Sequence, residues 1–200
     1  MSDIEINTYE ESRDIADTFG SIVSYYSEHY PEISASLNGP ATETEISDLE
    51  ALIGKELPSD FKALYRLANG QQDKNQPFFQ NGYDFMPISA IRVNYEMMLD
   101  LYNSNSQFRE VYGNSGAITD VWWKPDWIPF GYMISGDHYC IDMSPGPTGT
   151  EGQVIEFIHD DSIRYHKGLS INDFLGDLDI GLRSGKYFKH PEYEIITDEQ

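Results

Sequence analysis

The stretches that decide the fold are WIPFG, at Trp127–Gly131, and GDHYCIDMSPGPTGTEGQVIEFIHDD, at Gly136–Asp161. Short apolar runs alternate in them with Gly, Pro, Ser and Asp, the residues that tight turns favour. The pattern predicts a short strand in the first stretch, two more at 138–143 and 154–158, and a partner strand at 163–166. Strands this close in sequence pair antiparallel in most sheets.

The strand predicted at 138–143 has two unlike faces, because side chains alternate along a strand. Three large apolar side chains share one face, and three polar or reactive ones share the other: Tyr139, Ile141 and Met143 against His138, Cys140 and Asp142. The strand predicted at 154–158 is apolar except for Glu156, whose side chain is expected to point outward. One face of the sheet is therefore predicted to lie on a core.

Helices precede the strands. An apolar stripe from Ile15 to Tyr30 predicts a helix that stops at Pro31, and Thr42 with Glu45 forms the capping-box pattern that opens a second. Serine caps are expected for three further helices, at Ser59, Ser89 and Ser170. The helix after Ser89 is predicted at Ile91–Tyr102, and its buried side chains are expected to include Met98 and Leu101.

Helices, then closely spaced strands, then a helix indicate the α+β class. We therefore predict a single domain, a central antiparallel sheet flanked by helices, with an extra N-terminal helix. The predicted boundaries are a helical extension at 1–40, the main domain at 41–182 and an acidic tail at 183–200, of which Glu192 to Gln200 is expected to be loosely held.

The strongest global feature is charge. Thirteen Lys and Arg against 34 Asp and Glu give a formal net charge of -21. A field of that sign repels nucleic-acid phosphates and anionic lipids, and it steers the chain towards basic protein partners. A single cysteine, no signal-peptide pattern and no apolar run of membrane-spanning length predict a cytoplasmic protein without a membrane segment.

Three groups of residues suggest catalysis or ligand binding, and each is weak. His138, Cys140 and Asp142 project in parallel from one strand face and do not converge on a substrate atom. His159-Asp160-Asp161 matches no established metal-ligand spacing and suits a turn. The loop Gly146–Gly152 has no Lys to reach a phosphate, and proline removes backbone donors there. We therefore predict no catalytic residues, no metal and no cofactor.

Two blocks of the sequence resemble the SUKH superfamily of SMI/KNR-type domains, from about Thr42 to Leu178. The first block is Leu57-Pro58, Asp60-Phe61, Leu64-Tyr65 and Asn69-Gly70, the last pair also being an expected helix end. The second is Trp127–Gly131, Gly136-Asp137, Cys140–Asp142, Gly152–Ile155 and His159–Asp161. The first forty residues and the stretch 103–124 lie outside the pattern.

The resemblance implies a SUKH-like α+β fold and function by protein binding. Bacterial members of the superfamily are immunity proteins that neutralise a toxin, often a nuclease or a deaminase, and fungal members regulate cell-wall assembly and signalling. The acidic charge favours an immunity protein that binds a basic toxin domain. A regulatory interaction protein is the alternative, and an enzyme that uses Cys140 is a third hypothesis.

The expected partner-binding residues combine aromatic anchors with acids. Trp122 and Trp123 belong to a tryptophan cluster around Pro125 that forms either a binding patch or the cover of a core edge. The acidic members are expected in turns at the rim of the sheet, at Glu151, Asp160 and Asp161. The oligomeric state is left open.

Overall fold

The computed structural model describes residues 13–72, 76–109, 116–193 and 195–198, and shows the predicted α+β architecture. The helices are α1 (Ile15–His29), α2 (Pro31–Ala35), α3 (Glu43–Ile53), α4 (Ser59–Leu67), α5 (Ile88–Ser104) and α6 (Ile171–Ser184), with a 3-10 turn at Ser106–Arg109. The strands are β1 (Asp84–Phe85), β2 (Trp127–Tyr132), β3 (His138–Asp142), β4 (Gln153–Phe157), β5 (Arg164–Gly168), β6 (Tyr187–Lys189) and β7 (Ile196–Asp198). Strands β1 to β5 form one antiparallel sheet in chain order. None of the described helices is long and apolar enough to cross a membrane.

Two of the predicted caps are confirmed and two are wrong. The Thr42 hydroxyl accepts from the Glu45 N–H while the Glu45 carboxylate accepts from the Thr42 N–H, and Ser170 accepts from the Asp173 N–H at 3.1 Å. Ser59 and Ser89 already lie inside their helices, because the preceding prolines, Pro58 and Pro87, hold the extended conformation of the cap position. Pro31 likewise opens α2 instead of only ending α1.

Asn69 and Gly70 join α4, α3 and α5 instead of ending α4, which stops at Leu67. The Asn69 amide oxygen accepts from the N–H of Ile88, the first residue of α5, at 2.8 Å. Gly70 has φ of +66°, and a Cβ there would lie 2.3 Å from the backbone nitrogen of Pro87. The start of α5 therefore depends on two features of another segment: the Asn69 side chain and the absence of a Cβ at Gly70. The sequence around α5 itself contains neither feature.

The sheet is buried on both faces, and all five residues of β3 are buried. The larger core lies against the face of Tyr139 and Ile141, and it contains residues from every helix longer than one turn. The smaller core lies against the face of Cys140, and its members are Met98, Phe108, Ile118, Trp123, Trp127, Cys140, Ile155 and Phe157. The predicted alternation along β3 is confirmed, and its polar face is covered as well.

Glu156 does not point outward as predicted. Its residue is 9% exposed, and it lies opposite Tyr139 on the face of the larger core. The carboxylate accepts from the Tyr83 hydroxyl at 3.0 Å and lies 3.3 Å from the Lys167 ammonium. A buried carboxylate is tolerated here because it is both hydrogen bonded and paired with a cation.

The N-terminal helix is part of the main core. Phe19, Ile22 and Tyr26 of α1 pack into it, and a fully buried carboxylate fixes α1 to α6. That carboxylate, Asp179, lies 2.7 Å from the Arg13 guanidinium and accepts from the Ser21 hydroxyl at 2.8 Å. The helical part of the predicted extension is thus integral to the fold; residues 1–12 lie outside the described residues.

The C-terminal region differs from the loosely held tail that was predicted. Strands β6 and β7 form a hairpin, and Ile196 is fully buried in the larger core. Asn81 donates its backbone N–H to the Ile196 carbonyl at 2.6 Å. The buried apolar side chains of this segment hold it against the core, although polar residues separate them in the sequence. Glu194 and residues 199–200 lie outside the described residues.

Gly70→Ala should destabilise the fold by roughly 2–4 kcal/mol, because the added Cβ meets backbone atoms at a positive φ. Urea unfolding monitored by tryptophan fluorescence measures the change. Gly20→Ala is the control: it lies in α1 with open space around it, and should stabilise by about 0.5–1 kcal/mol through helix propensity. Equal effects of the two substitutions would contradict the close approach at Gly70.

Candidate functional site

A groove of about 1190 Å³ runs between α5 and one end of the sheet. Its floor is a row of side chains from β1, β2, β3 and β4 that lie side by side in the strand register: Asp84, Tyr132, His138 and Phe157. Three strand spacings make this row about 14 Å long. We call this feature, with the α5 side chains along its wall, the α5 groove.

The wall of the α5 groove is an apolar stripe that has no partner within the described chain. Val93, Met97 and Leu101 are 68%, 50% and 42% exposed, and all three line the groove. Their spacing of four residues places them on one side of the helix over about 12 Å. The opposite side of α5 carries the buried residues Ile88, Ile91, Tyr95 and Met98.

The sequence pattern does not reveal this stripe, because it predicts Leu101 on the buried face together with Met98. Met98 is buried as predicted and Leu101 is exposed. The signal was present: α5 carries more apolar residues than one core-facing stripe needs. Apolar residues on two sides of a helix indicate either complete burial or a second contact surface, and only the tertiary structure distinguishes these.

His138 brings an unused hydrogen-bonding atom to the groove floor. The residue is 4% exposed, and its Nε2 atom is buried without a hydrogen-bond partner among the described residues. Burial lowers the pKa of His138 to about 4, so the ring is neutral at pH 7. The ring also has a hydrogen bond to the Gly136 backbone that raises its pKa, which is a bond in which the ring donates. Nε2 of the neutral ring is then an acceptor.

The geometry does not support a catalytic set on β3. His138, Cys140 and Asp142 have no hydrogen bonds to one another, and Asp142 instead accepts from the Ser144 N–H and the Gln153 amide. Burial raises the pKa of the Cys140 thiol, raises the pKa of Asp142 and lowers the pKa of His138. Burial thus disfavours the charged form of each group, whereas a nucleophilic cysteine requires a thiolate next to a base.

A histidine and two carboxylates meet at the end of the groove near β4. Ligand atoms of Asp137, His159 and Asp160 lie within 4.8 Å of one another, a spacing that could hold a metal ion. Asp137 already accepts hydrogen bonds from the Ser135 hydroxyl and the His159 N–H, and the His159 ring nitrogen lies 2.8 Å away. Burial raises the pKa of Asp137, but these hydrogen bonds and the His159 ring together lower it by more, so the net pKa is below its usual value and the carboxylate stays ionised. These hydrogen bonds explain why the side chains lie close together, because they close a turn.

The structure separates the predicted partner-binding residues. Trp122 lines the α5 groove, with its ring 4.4 Å from Phe108, whereas Trp123 is 2% exposed in the smaller core and offers no surface to a partner in this conformation. Asp160 and Asp161 follow the end of β4, whereas Glu151 precedes its start, so one strand length, about 13 Å, lies between them.

Arg164 fixes the position of Trp122 and was not singled out for this role. Its residue is 4% exposed, and its guanidinium donates to the Trp122 carbonyl at 2.7 and 3.1 Å. The same group donates to the Ile158 carbonyl and lies 4.4 Å from the centre of the Phe157 ring. A buried guanidinium with several carbonyl acceptors holds the loop before β2 against β4.

The sequence profile of the SMI1 / KNR4 family (SUKH-1) matches residues 40–177. The chain belongs to the SMI1 / KNR4 family. The match includes α3, α4, α5, strands β1 to β5 and the beginning of α6, so that almost the whole α5 groove lies inside the family's domain. The resemblance to the SUKH superfamily is thereby confirmed.

Similar fungal proteins carry regulatory names. The cell wall biosynthesis/cell cycle regulator smi1 of Schizosaccharomyces pombe is 26% identical over 186 residues, covering 86% of this chain and 37% of that protein. The cell wall assembly regulator SMI1 of Saccharomyces cerevisiae is 25% identical and the match covers 81% and 39%. A glucan synthesis regulatory protein of Neurospora crassa is 25% identical, with 87% and 39% covered.

The chain therefore spans less than two fifths of the length of these relatives. Its likeness to SMI1 / KNR4 family members identifies the domain, and the relatives are named as regulators. The functional alternative that gains support from the names is the cell-wall regulator, whereas none of the three names describes toxin immunity.

The free energy of unfolding should depend on pH through His138. Between about pH 6.5 and pH 4 the unfolded chain binds a proton at His138 that the folded chain does not bind. Stability from this group is therefore present above pH 6.5 and falls by up to about 3 kcal/mol as the pH decreases to 4. Urea unfolding of the wild type and of His138→Gln over this range measures the difference.

The variant should lose this part of the slope, and His166→Gln, at an exposed histidine on β5, should keep it. Carboxylates titrate in the lower part of the same range in all three proteins, so the difference between the curves is the quantity to compare. Parallel curves for the wild type and His138→Gln would show that the ring is not buried in its neutral form.

Proposed function

We propose that this chain is a non-enzymatic regulatory domain of cell-wall assembly that acts by binding another protein through the α5 groove. The observation that carries the proposal is the exposed stripe Val93, Met97 and Leu101 beside a groove inside the family-matched domain. Contiguous exposed apolar surface of this kind is typical of interaction sites. The names of the fungal relatives supply the process.

The non-enzymatic part of the proposal is supported by the chemistry of the side chains. Burial disfavours the charged forms of the histidine, thiol and carboxylate of β3, which have no hydrogen bonds to one another, and the groove is lined mainly by apolar and amide side chains. An enzyme that uses Cys140 would need a rearrangement of a fully buried central strand. A binding surface needs only the exposed side chains that are already in place.

A chimera tests this proposal. The matched region of the Saccharomyces cerevisiae relative is replaced by this chain, and growth under cell-wall stress is compared with a strain that lacks the relative. We expect the chimera to restore growth, and the double substitution Met97→Gln/Leu101→Gln to abolish the restoration at equal protein abundance. Glutamine keeps side-chain length and helix propensity, so the helix should persist.

The matched control is Ile180→Gln on α6, because Ile180 is 53% exposed, as Met97 is 50% exposed, and does not line the groove. This variant should restore growth like the unmodified chimera. Full restoration by the Met97/Leu101 double variant would contradict a role for the groove, and circular dichroism of both purified variants excludes unfolding as the cause.

Toxin neutralisation is a second candidate, favoured by the net charge of -21. An acidic surface accelerates association with a basic nuclease domain and complements its nucleic-acid site. In this case the exposed acids Glu151 and Asp160, with the partly buried Asp161, would contact the toxin together with Trp122. The sheet places Glu151 far from the other three, so such an interface would have to extend along the whole of β4.

Co-expression with a toxin domain encoded beside this chain tests the second candidate. Neutralisation predicts rescued growth, co-purification, and a dissociation constant that increases at least about tenfold from about 50 to about 500 mM salt. Asp160→Lys should weaken binding in the same assay. No rescue and no co-purification would eliminate immunity to that toxin, and a dissociation constant independent of salt would eliminate electrostatic steering.

A further inference from the structure

We infer that the α5 groove is built for a basic amphipathic helix: a partner segment whose apolar side chains pack on the stripe Val93, Met97 and Leu101 and whose Lys or Arg side chains reach the acceptors of the floor and ends. The inference rests on the proposed function and specifies the chemistry of the partner. It is carried by the shape of the groove, the hydrogen bonding of its edge strand, and the sign of its polar groups.

Size and shape favour a polypeptide. The volume of about 1190 Å³ exceeds the roughly 300–1,000 Å³ of pockets for small molecules. The stripe extends along about 12 Å and the floor along about 14 Å, which together match two to three turns of helix. A groove of these dimensions suits anchors spaced by three or four residues on one side of a helix.

The edge strand favours a helix over an added β-strand. β1 is the outer strand of the sheet at the groove, but Gln71 already occupies its outward hydrogen bonds. The Gln71 N–H donates to the Phe85 carbonyl at 2.9 Å, and the Phe85 N–H donates to the Gln71 side-chain oxygen at 2.8 Å. An extended peptide would have to displace a buried glutamine, whereas a helix satisfies its own backbone.

The polar groups of the groove are suited to bind hydrogen-bond donors and positive charge. Nε2 of His138 and the amide oxygen of Asn94 are buried acceptors that have no partner among the described residues. The described lining contains the carboxylates Glu45 and Asp84 and no Lys or Arg. The acids Asp137 and Asp160 lie next to His159 at the other end.

Two cations near the groove whose side chains the structure describes have partners of their own. Arg92, the only cation of α5, lies 4.0 Å from the Asp48 carboxylate, and the Arg164 guanidinium donates to the backbone carbonyls of Trp122, Ile158 and Ile163. Neither side chain lines the groove. A Lys or Arg entering the groove therefore meets acceptors and negative charge at both ends, and an acidic segment meets repulsion.

The same charge argument disfavours occupants that belong to this chain. A second copy would bring a net charge of -21 to a surface of equal sign. Residues 1–12 contain four acids and no Lys or Arg. A separate protein with a basic amphipathic segment is the occupant that complements the groove.

Selection from a displayed library of random peptides, each of roughly 16 residues so that a helix can cross the groove, tests the inference on the whole chain. Selected peptides are kept when they bind the wild type and Ile180→Gln but lose at least about tenfold in affinity for Met97→Gln/Leu101→Gln. We expect the kept sequences to be enriched in Lys and Arg, to place apolar residues three or four apart, and to become helical when bound.

Their affinity should fall as salt rises from about 50 to about 500 mM, and Asn94→Leu, which removes one acceptor, should weaken binding several-fold. Kept sequences that are neutral, acidic or extended would overturn the basic-helix inference and leave groove binding intact. No groove-dependent sequences at all would overturn the inference, while the chimera decides the proposed function separately. Dimerisation that the Met97/Leu101 double variant abolishes would identify a second copy as the occupant and overturn it as well.

Discussion

Both faces of the five-stranded sheet have to be covered, and the two covers are unequal. All five residues of β3 are buried, so neither face can be left to water without the loss of apolar contacts. One face packs on a large core to which α1, α3, α4, α5 and α6 contribute. The other packs on a small core that includes Met98 of α5, Phe108, Trp123 and Trp127. The α5 groove lies where the described residues leave that second cover incomplete.

This incomplete cover explains why an apolar stripe and an unpaired acceptor occur together. α5 contributes to both cores, with Tyr95 in the larger and Met98 in the smaller, and its third side is left facing the groove. His138 is buried at the sheet end of the groove, and its Nε2 has no partner in the part of the chain that the structure describes. Buried polar atoms normally have hydrogen bonds. Unsatisfied groups beside an exposed apolar stripe are typical of a surface that is completed by a partner.

The same residues explain why catalysis is the weaker hypothesis. A nucleophilic cysteine needs a thiolate that is stabilised next to a base. Here burial moves the pKa values of His138, Cys140 and Asp142 towards the neutral forms, as expected for groups that fill a core. Membership of the SMI1 / KNR4 family and the regulatory names of the relatives agree with binding. The acidity of the chain then restricts which partners can approach.

The sequence by itself determined the class of fold, the family and the alternation along β3. These follow from local patterns: two-residue periodicity, the capping box at Thr42, and two blocks of family residues. Only the tertiary structure decided which apolar residues stay exposed, because Met98 and Leu101 have the same chemistry and differ only in the direction of the nearest core. It also decided the roles of Asn69, Gly70 and Arg164, whose partners are distant in sequence. The proposed binding surface belongs to this second group, because which distant segments pack over a side chain decides whether it stays exposed.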